Sequence, residues 1–115
     1  MNCSEPHNTR HQGCDTAKVA TKLAALAHPT RIEILHHLAA VEACCCKEVV
    51  QRLDLAQSTV SQHLKVLVEA GLVRLTPENR RSRYEVDREA VDHLMRSVNG
   101  ILVSCCAGPR QTPAG

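Results

Sequence analysis

At Gly71 the hydrophobic periodicity of this chain changes, and that change restricts its fold more than any other feature. Upstream, Val60, Leu64 and Leu67 recur at spacings of four and three, the signature of one apolar face on a helix over about 57–70. Downstream, LVRLT (72–76) and RYEV (83–86) alternate with the period of two that strands require. Gly71 is expected to be the helix C-cap, and P-E-N-R-R-S to be a hairpin loop with an arginine-rich tip.

Helical periodicity accounts for most of the remaining chain. A first helix is expected over about 15–27, with Val19, Leu23 and Leu26 on one stripe, ended by His28-Pro29. Thr30 opens T-R-I-E, a pattern that predicts a capping box between Thr30 and Glu33 at the start of a second helix. In that helix Ile32, Leu35, Leu38 and Ala39 are expected to face inward. A short third helix begins around Cys44 and carries Val49, Val50 and Leu53; Asp54-Leu55-Ala56 then reads as a turn. From about residue 87 a last helix presents Val91, Leu94, Met95, Val98, Leu102 and Val103, a broad apolar face suited to pairing with its twin.

Two helices joined by a three-residue turn and followed by a basic-tipped hairpin follow the order of a winged helix-turn-helix. The expected fold class is therefore mainly α with one two-stranded β-hairpin, a winged helix-turn-helix that dimerises through its terminal helices. The polar, aperiodic residues 1–14 predict a flexible arm, 15–104 the DNA-binding and dimerisation domain, and the Pro/Gly-containing 105–115 a flexible tail.

Composition narrows the function. With 115 residues the chain holds one domain, and with one tyrosine, no tryptophan and no phenylalanine it lacks aromatic platforms for stacking single-stranded bases. The net charge of +2 excludes a nonspecific DNA coat, yet the 57–83 segment alone is +3, from Lys65, Arg74, Arg80, Arg81 and Arg83 against Glu69 and Glu78. The helix before Gly71 carries Gln57, Ser58, Thr59, Ser61, Gln62, His63 and Lys65, side chains able to reach base edges or phosphates. Together with Arg80, Arg81 and Arg83 of the wing they are the candidate DNA contacts, and double-stranded operator DNA is the expected partner. No apolar signal segment opens the chain and no run approaches the roughly 18 apolar residues of a membrane span, so a cytoplasmic protein with reduced thiols and no membrane partner is expected.

Seven cysteines fall in groups: Cys3 and Cys14, then Cys44, Cys45 and Cys46, then Cys105 and Cys106. Clustered thiols in a reducing compartment point to soft-metal or redox chemistry. Three consecutive side chains do not easily face one ion, because helical neighbours diverge by about 100° and extended neighbours point to opposite sides, so Cys44, Cys45 and Cys46 are all candidate ligands but not equally. Cys44 with Cys46 is the favoured pair, with Cys44 and Cys45 the alternative; a further ligand has to come from elsewhere.

LAHPTRIEILHHLA, then LAQSTVSQHLKVLVEAGLV and a wing ending in RYEV, resembles the ArsR/SmtB family of winged-helix repressors over roughly residues 17–104. The resemblance implies a homodimeric repressor of a palindromic operator, released by a metal, metalloid or oxidant. Cys44 and Cys46 match the C-x-C of the arsenic- and cadmium-sensing branches, which complete their sites with arm cysteines or a C-terminal cysteine pair; here Cys3 and Cys14, or Cys105 and Cys106, stand in those places. The zinc-sensing pattern does not fit, since Asp87, Glu89, Asp92 and His93 are followed by no further carboxylate or histidine in the last helix. No constitutive cofactor is expected. The inducer read from the thiols is arsenite or antimonite, with Cd(II) or Pb(II) next. The alternative is a repressor of the same fold that senses oxidants or persulfides through its thiols. A small thiol enzyme is disfavoured, because no C-x-x-C stands in a βαβ pattern. One departure from the family pattern is Ala56, where a serine often caps the recognition helix.

Overall fold

The computed structural model describes the backbone of residues 6–41, 45–79 and 81–107, and side chains from residue 16 onward within those segments. Five helices and one hairpin follow in order: α1 (Pro6–Leu26), α2 (Pro29–Ala40), α3 (Cys46–Leu53), α4 (Gln57–Glu69), β1 (Val73–Glu78), β2 (Arg81–Val86) and α5 (Arg88–Ala107). The mainly helical winged helix-turn-helix expected from the periodicity is what forms. Helix α1 reaches back to Pro6, into the segment expected to be an arm, and α5 runs on through Cys105 and Cys106, past the expected boundary at 104.

The core is aliphatic and centred on α4. Val60, Leu64 and Leu67 are completely buried against Ile34 and Leu38 of α2, Val49 of α3 and Leu72 beyond the helix, with Ala25, Ala70, Val73, Val86 and Leu94 closing the cluster. Full burial of each Leu, Ile or Val contributes roughly 1.5–3 kcal/mol. The inward face of α2 differs from expectation: Ile34 and Leu38 are buried, whereas Ile32 is 53% exposed. Two apolar stripes compete on this helix. The Ile34/Leu38 stripe meets α4, while Ile32, Leu35 and Ala39 border an open groove with Val91 and Met95 of α5.

Local chemistry sets the helix ends. Helix α2 begins one residue before the expected capping box: His28 is the N-cap, its Nδ1 accepts the Thr30 N–H at 3.1 Å, and Pro29 occupies the first turn. Proline suits that place, where its missing N–H has no helical partner to lose. Helix α3 starts after Cys45, whose N–H donates to the Glu48 carboxylate at 3.1 Å. It ends at Asp54, which takes the left-handed conformation with φ 58°. Helix α4 ends in a Schellman motif, with Gly71 N–H on the Val68 carbonyl (2.9 Å) and Leu72 N–H on that of Leu67 (3.0 Å). Gly71 stands one position past the C-cap, Ala70, and its φ of +85° is the reason a glycine is needed there.

The hairpin is tighter than the alternation suggested. Its antiparallel register pairs Val73 with Val86 and continues to Glu78 with Arg81, so most of the expected loop lies in the ladder and only residues 79 and 80 connect the strands. Asn79, with φ 58°, has the left-handed backbone that such short connections demand. The wing is anchored where Asp87 N–H donates to the Leu72 carbonyl (2.9 Å), and the Asp87 carboxylate caps α5 through Ala90 N–H (3.1 Å).

Candidate nucleic-acid interface

At about 100° per residue, the buried stripe of α4 divides its polar residues among three directions. Ser58, Gln62 and Lys65 form the row opposite the core, and all three are exposed. Gln57 and Ser61 lie on the flank beside α3 and the wing. Thr59 and His63 lie on the opposite flank. His63 is half-buried and engaged by its neighbours: its Nδ1 accepts from Arg31 Nε at 3.2 Å, and its ring lies 4.5 Å from that of His28. Burial, then the neighbouring His28 and Arg31 charges, push the His63 pKa below the ordinary histidine value. Neutral imidazole is the form that can accept the Arg31 N–H, so the electrostatics and the hydrogen bond agree. The same guanidinium donates to the Ala24 and Ala25 carbonyls (3.4 and 3.1 Å), fastening the end of α1 to α4 through α2.

The wing carries fewer unpaired cations than its sequence suggests. Arg74 pairs with Glu85 across the ladder and Arg83 with Glu78, both at 3.3 Å. Among the described residues Lys65 and Arg81 have no carboxylate partner, so the positive potential of the segment concentrates on them. The two ion pairs are exposed, worth about 0–1 kcal/mol each, and weak enough for a phosphate to replace either carboxylate. Arg80 lies outside the described residues.

The thiols meet this surface. Cys45 and Cys46, both partly exposed, border a cleft of about 340 Å³ with Lys47, with Gln57 and Ser61 of α4, and with Arg81, Ser82 and Tyr84 of the wing. Cys46 Sγ lies 3.9 Å from Ser61 Oγ. Burial, and secondarily the charge of Cys46, raise the Tyr84 pKa, which keeps the phenol protonated and able to donate. Cys3 and Cys44 lie outside the described residues, as does the side chain of Cys14, while Cys105 and Cys106 are exposed at the end of α5 and do not border the cleft. Among the described residues no group of three or more Cys, His, Asp or Glu side chains comes together. Ser82 and Tyr84 are functional candidates that the sequence pattern alone does not single out. The alternation of a strand, which puts Ser82 and Tyr84 on one face, would have marked them once the two-residue turn had set the register.

A helix-turn-helix domain model matches residues 26–76. The arsenical resistance operon repressor of Staphylococcus xylosus is 30% identical over 87 residues, spanning 76% of this chain and 83% of that protein. The chain belongs to the ArsR/SmtB family of winged helix-turn-helix transcriptional regulators. That is a family of repressors and not of enzymes. Another ArsR/SmtB relative, the transcriptional repressor SmtB of Mycobacterium tuberculosis, is 42% identical over 71 residues, 62% of this chain and 49% of that one. An ArsR-like transcriptional regulator from Rhodococcus sp. RHA1 superimposes with a TM-score of 0.74 at 26% identity, covering 85% of this chain and 94% of the other. In ArsR/SmtB terms, α4 is the recognition helix, α3 the helix that precedes it, and the hairpin the wing. Among the described residues, no helix of this family member is long and apolar enough to cross a membrane.

Proposed function

We infer that this regulator represses transcription as a homodimer bound to a palindromic operator, and that a thiophilic metalloid or metal ion releases it. The outward row of α4, Ser58, Gln62 and Lys65, reads base edges in the major groove, with Gln57, Thr59 and Ser61 on its margins. Arg80, Arg81 and Arg83 hold flanking phosphates from the wing. His63, engaged with Arg31, positions the recognition helix instead of touching DNA.

One observation carries the inducer reading: Cys45 and Cys46 share a cleft with recognition-helix and wing residues, so any ion they take stands against both DNA-reading elements. The donor chemistry fits a soft ion, because sulfur is the ligand type that selects arsenic, antimony, cadmium or lead over harder cations. Cys46, with Cys44 or Cys45 beside it, supplies two thiols, and one of Cys3, Cys14, Cys105 and Cys106 supplies the rest. The arsenical resistance repressors among the relatives support a metalloid as the ion of choice.

Operator release titrated with arsenite, antimonite, Cd(II) and Pb(II) tests this on the reduced wild type and on Cys44→Ser, Cys46→Ser, Cys14→Ser and Cys106→Ser. One of these ions is expected to weaken wild-type binding by at least about fivefold, and Cys46→Ser to abolish the response. A complex that persists in saturating ion with reduced thiols would refute the reading. Release by an oxidant alone, tracking the loss of two hydrogens from a cysteine pair, would instead make this a thiol-redox repressor.

A further inference from the structure

The cleft at Cys45 and Cys46 has a second property that sensing by itself does not require. It is cationic, with Lys47 from α3 and Arg81 from β2 on its walls, and among the described residues no carboxylate lines it, the neighbouring Glu48 being engaged by the Cys45 N–H. Three other clefts bounded by described residues each include at least one carboxylate: Glu85, Asp87 and Glu89 in one, Asp92 in another, Glu33 in the third. The remaining polar groups of the thiol cleft are the amide of Gln57 and the hydroxyls of Ser61, Ser82 and Tyr84, each able to donate to an oxyanion. Among the described residues Lys47 and Arg81 have no ion-pair partner.

Two unpaired cations and four neutral donors around about 340 Å³ match the needs of a phosphate diester. The position identifies its source. The cleft lies between the recognition helix and the wing, where a DNA backbone must pass when α4 occupies the major groove, and the first helix of a helix-turn-helix is the one that crosses that backbone.

Building on the operator-binding reading above, we propose that the cysteine cleft is itself part of the DNA interface. Lys47 and Arg81 hold one operator phosphate over Cys46, and inducer and DNA exclude each other by direct competition for this cleft. Release then needs no long-range rearrangement, because an ion held by the thiols occupies the space and the charge environment of the phosphate. Lys47 becomes a DNA contact and Ser61 a residue shared by both states.

The test uses the full-length reduced protein and a duplex selected for binding from a randomised pool, with no metal present. Iodoacetamide alkylation is followed peptide by peptide, with Cys105 as the internal reference. Saturating duplex is expected to slow alkylation of Cys45 and Cys46 at least tenfold and to leave the wild-type rate at Cys105 unchanged. Inorganic phosphate is expected to protect neither thiol; protection by phosphate alone would reassign the cleft to a free anion and overturn the duplex assignment. In parallel, Lys47→Gln is expected to lower operator affinity severalfold and to reduce the slope of log affinity against log salt by about one, with Lys47→Arg restoring both. Equal alkylation with and without duplex, or an unchanged salt slope in Lys47→Gln, overturns the proposal. Protection of the thiols in a complex that no ion releases would remove the inducer reading and leave the phosphate role intact. Failure of the wild type to select any duplex would remove both.

Discussion

At the scale of single residues, position on a helix decided what polar side chains do. Gln62 and His63 are neighbours on α4 and both are residue types that contact DNA, yet Gln62 faces outward while His63 turns toward Arg31 and His28. Helical spacing puts Gln62 opposite the core and His63 on a flank, but what His63 does there is not legible locally, because its partner, Arg31, lies 32 positions away. A pH dependence follows. The folded pKa of His63 lies below its unfolded value, so the unfolded chain takes up the proton first as pH falls. The stability linked to His63 is therefore fully present above the unfolded pKa of about 6.5 and declines as pH drops from there toward the folded value. Urea unfolding at about pH 7.5 and 5.5 should show a larger loss for the wild type than for His63→Gln, whose amide oxygen still accepts from Arg31 and does not titrate. The same pH dependence in both proteins would show that His63 is not linked to folding.

At the scale of elements, the apolar periods were legible and the ends were less so. The face of α4 and its halt at Gly71 could be read directly, since a 3.6-residue stripe and a left-handed glycine are local properties. The start of α2 differs from the T-R-I-E capping box that the sequence offers. The imidazole of His28 offers an acceptor two residues earlier, and Pro29 is already set for the first helical turn. The strands extended beyond their alternating cores because pairing of Pro77 with Ser82 and Glu78 with Arg81 is a tertiary event that single-strand pattern does not report. The recognition helix itself is uncapped: Ala56 stands at the N-cap with an extended backbone and no side-chain hydrogen bond. Ala56→Ser should stabilise the protein by about 1 kcal/mol, seen as a higher urea midpoint with an unchanged slope. No change, or a loss, would mean that the first turn of α4 is satisfied in another way.

At the scale of the whole molecule, the exposed apolar residues are concentrated on α5. Met95, Ile101, Leu102 and Val103 are 52–60% exposed, although Leu94 of the same helix enters the core. A single copy measuring 61 × 31 × 22 Å leaves these side chains in water, which supports pairing with a second copy through the terminal helices. A dimer also sets the spacing of two recognition helices on the duplex. Leu102→Glu is expected to shift the protein to monomer in sedimentation equilibrium and to weaken operator binding by at least tenfold, about 1.4 kcal/mol, with the helical content retained. A monomeric wild type, or a variant that still dimerises, would place the dimer interface elsewhere.

What the sequence by itself determined is the set of elements, their order and the family, because hydrophobic period, glycine and proline placement and the STVSQHLKVL run are properties of neighbours along the chain. The tertiary structure alone decided which of two apolar stripes on α2 enters the core, that His63 serves Arg31, and that Glu78 partners Arg83 and Glu85 partners Arg74. It also decided that Cys45 and Cys46 share a cationic cleft with the recognition helix and the wing. Those contacts join residues far apart in the chain. Their geometry depends on how helices and hairpin pack on one another, which local propensity does not encode.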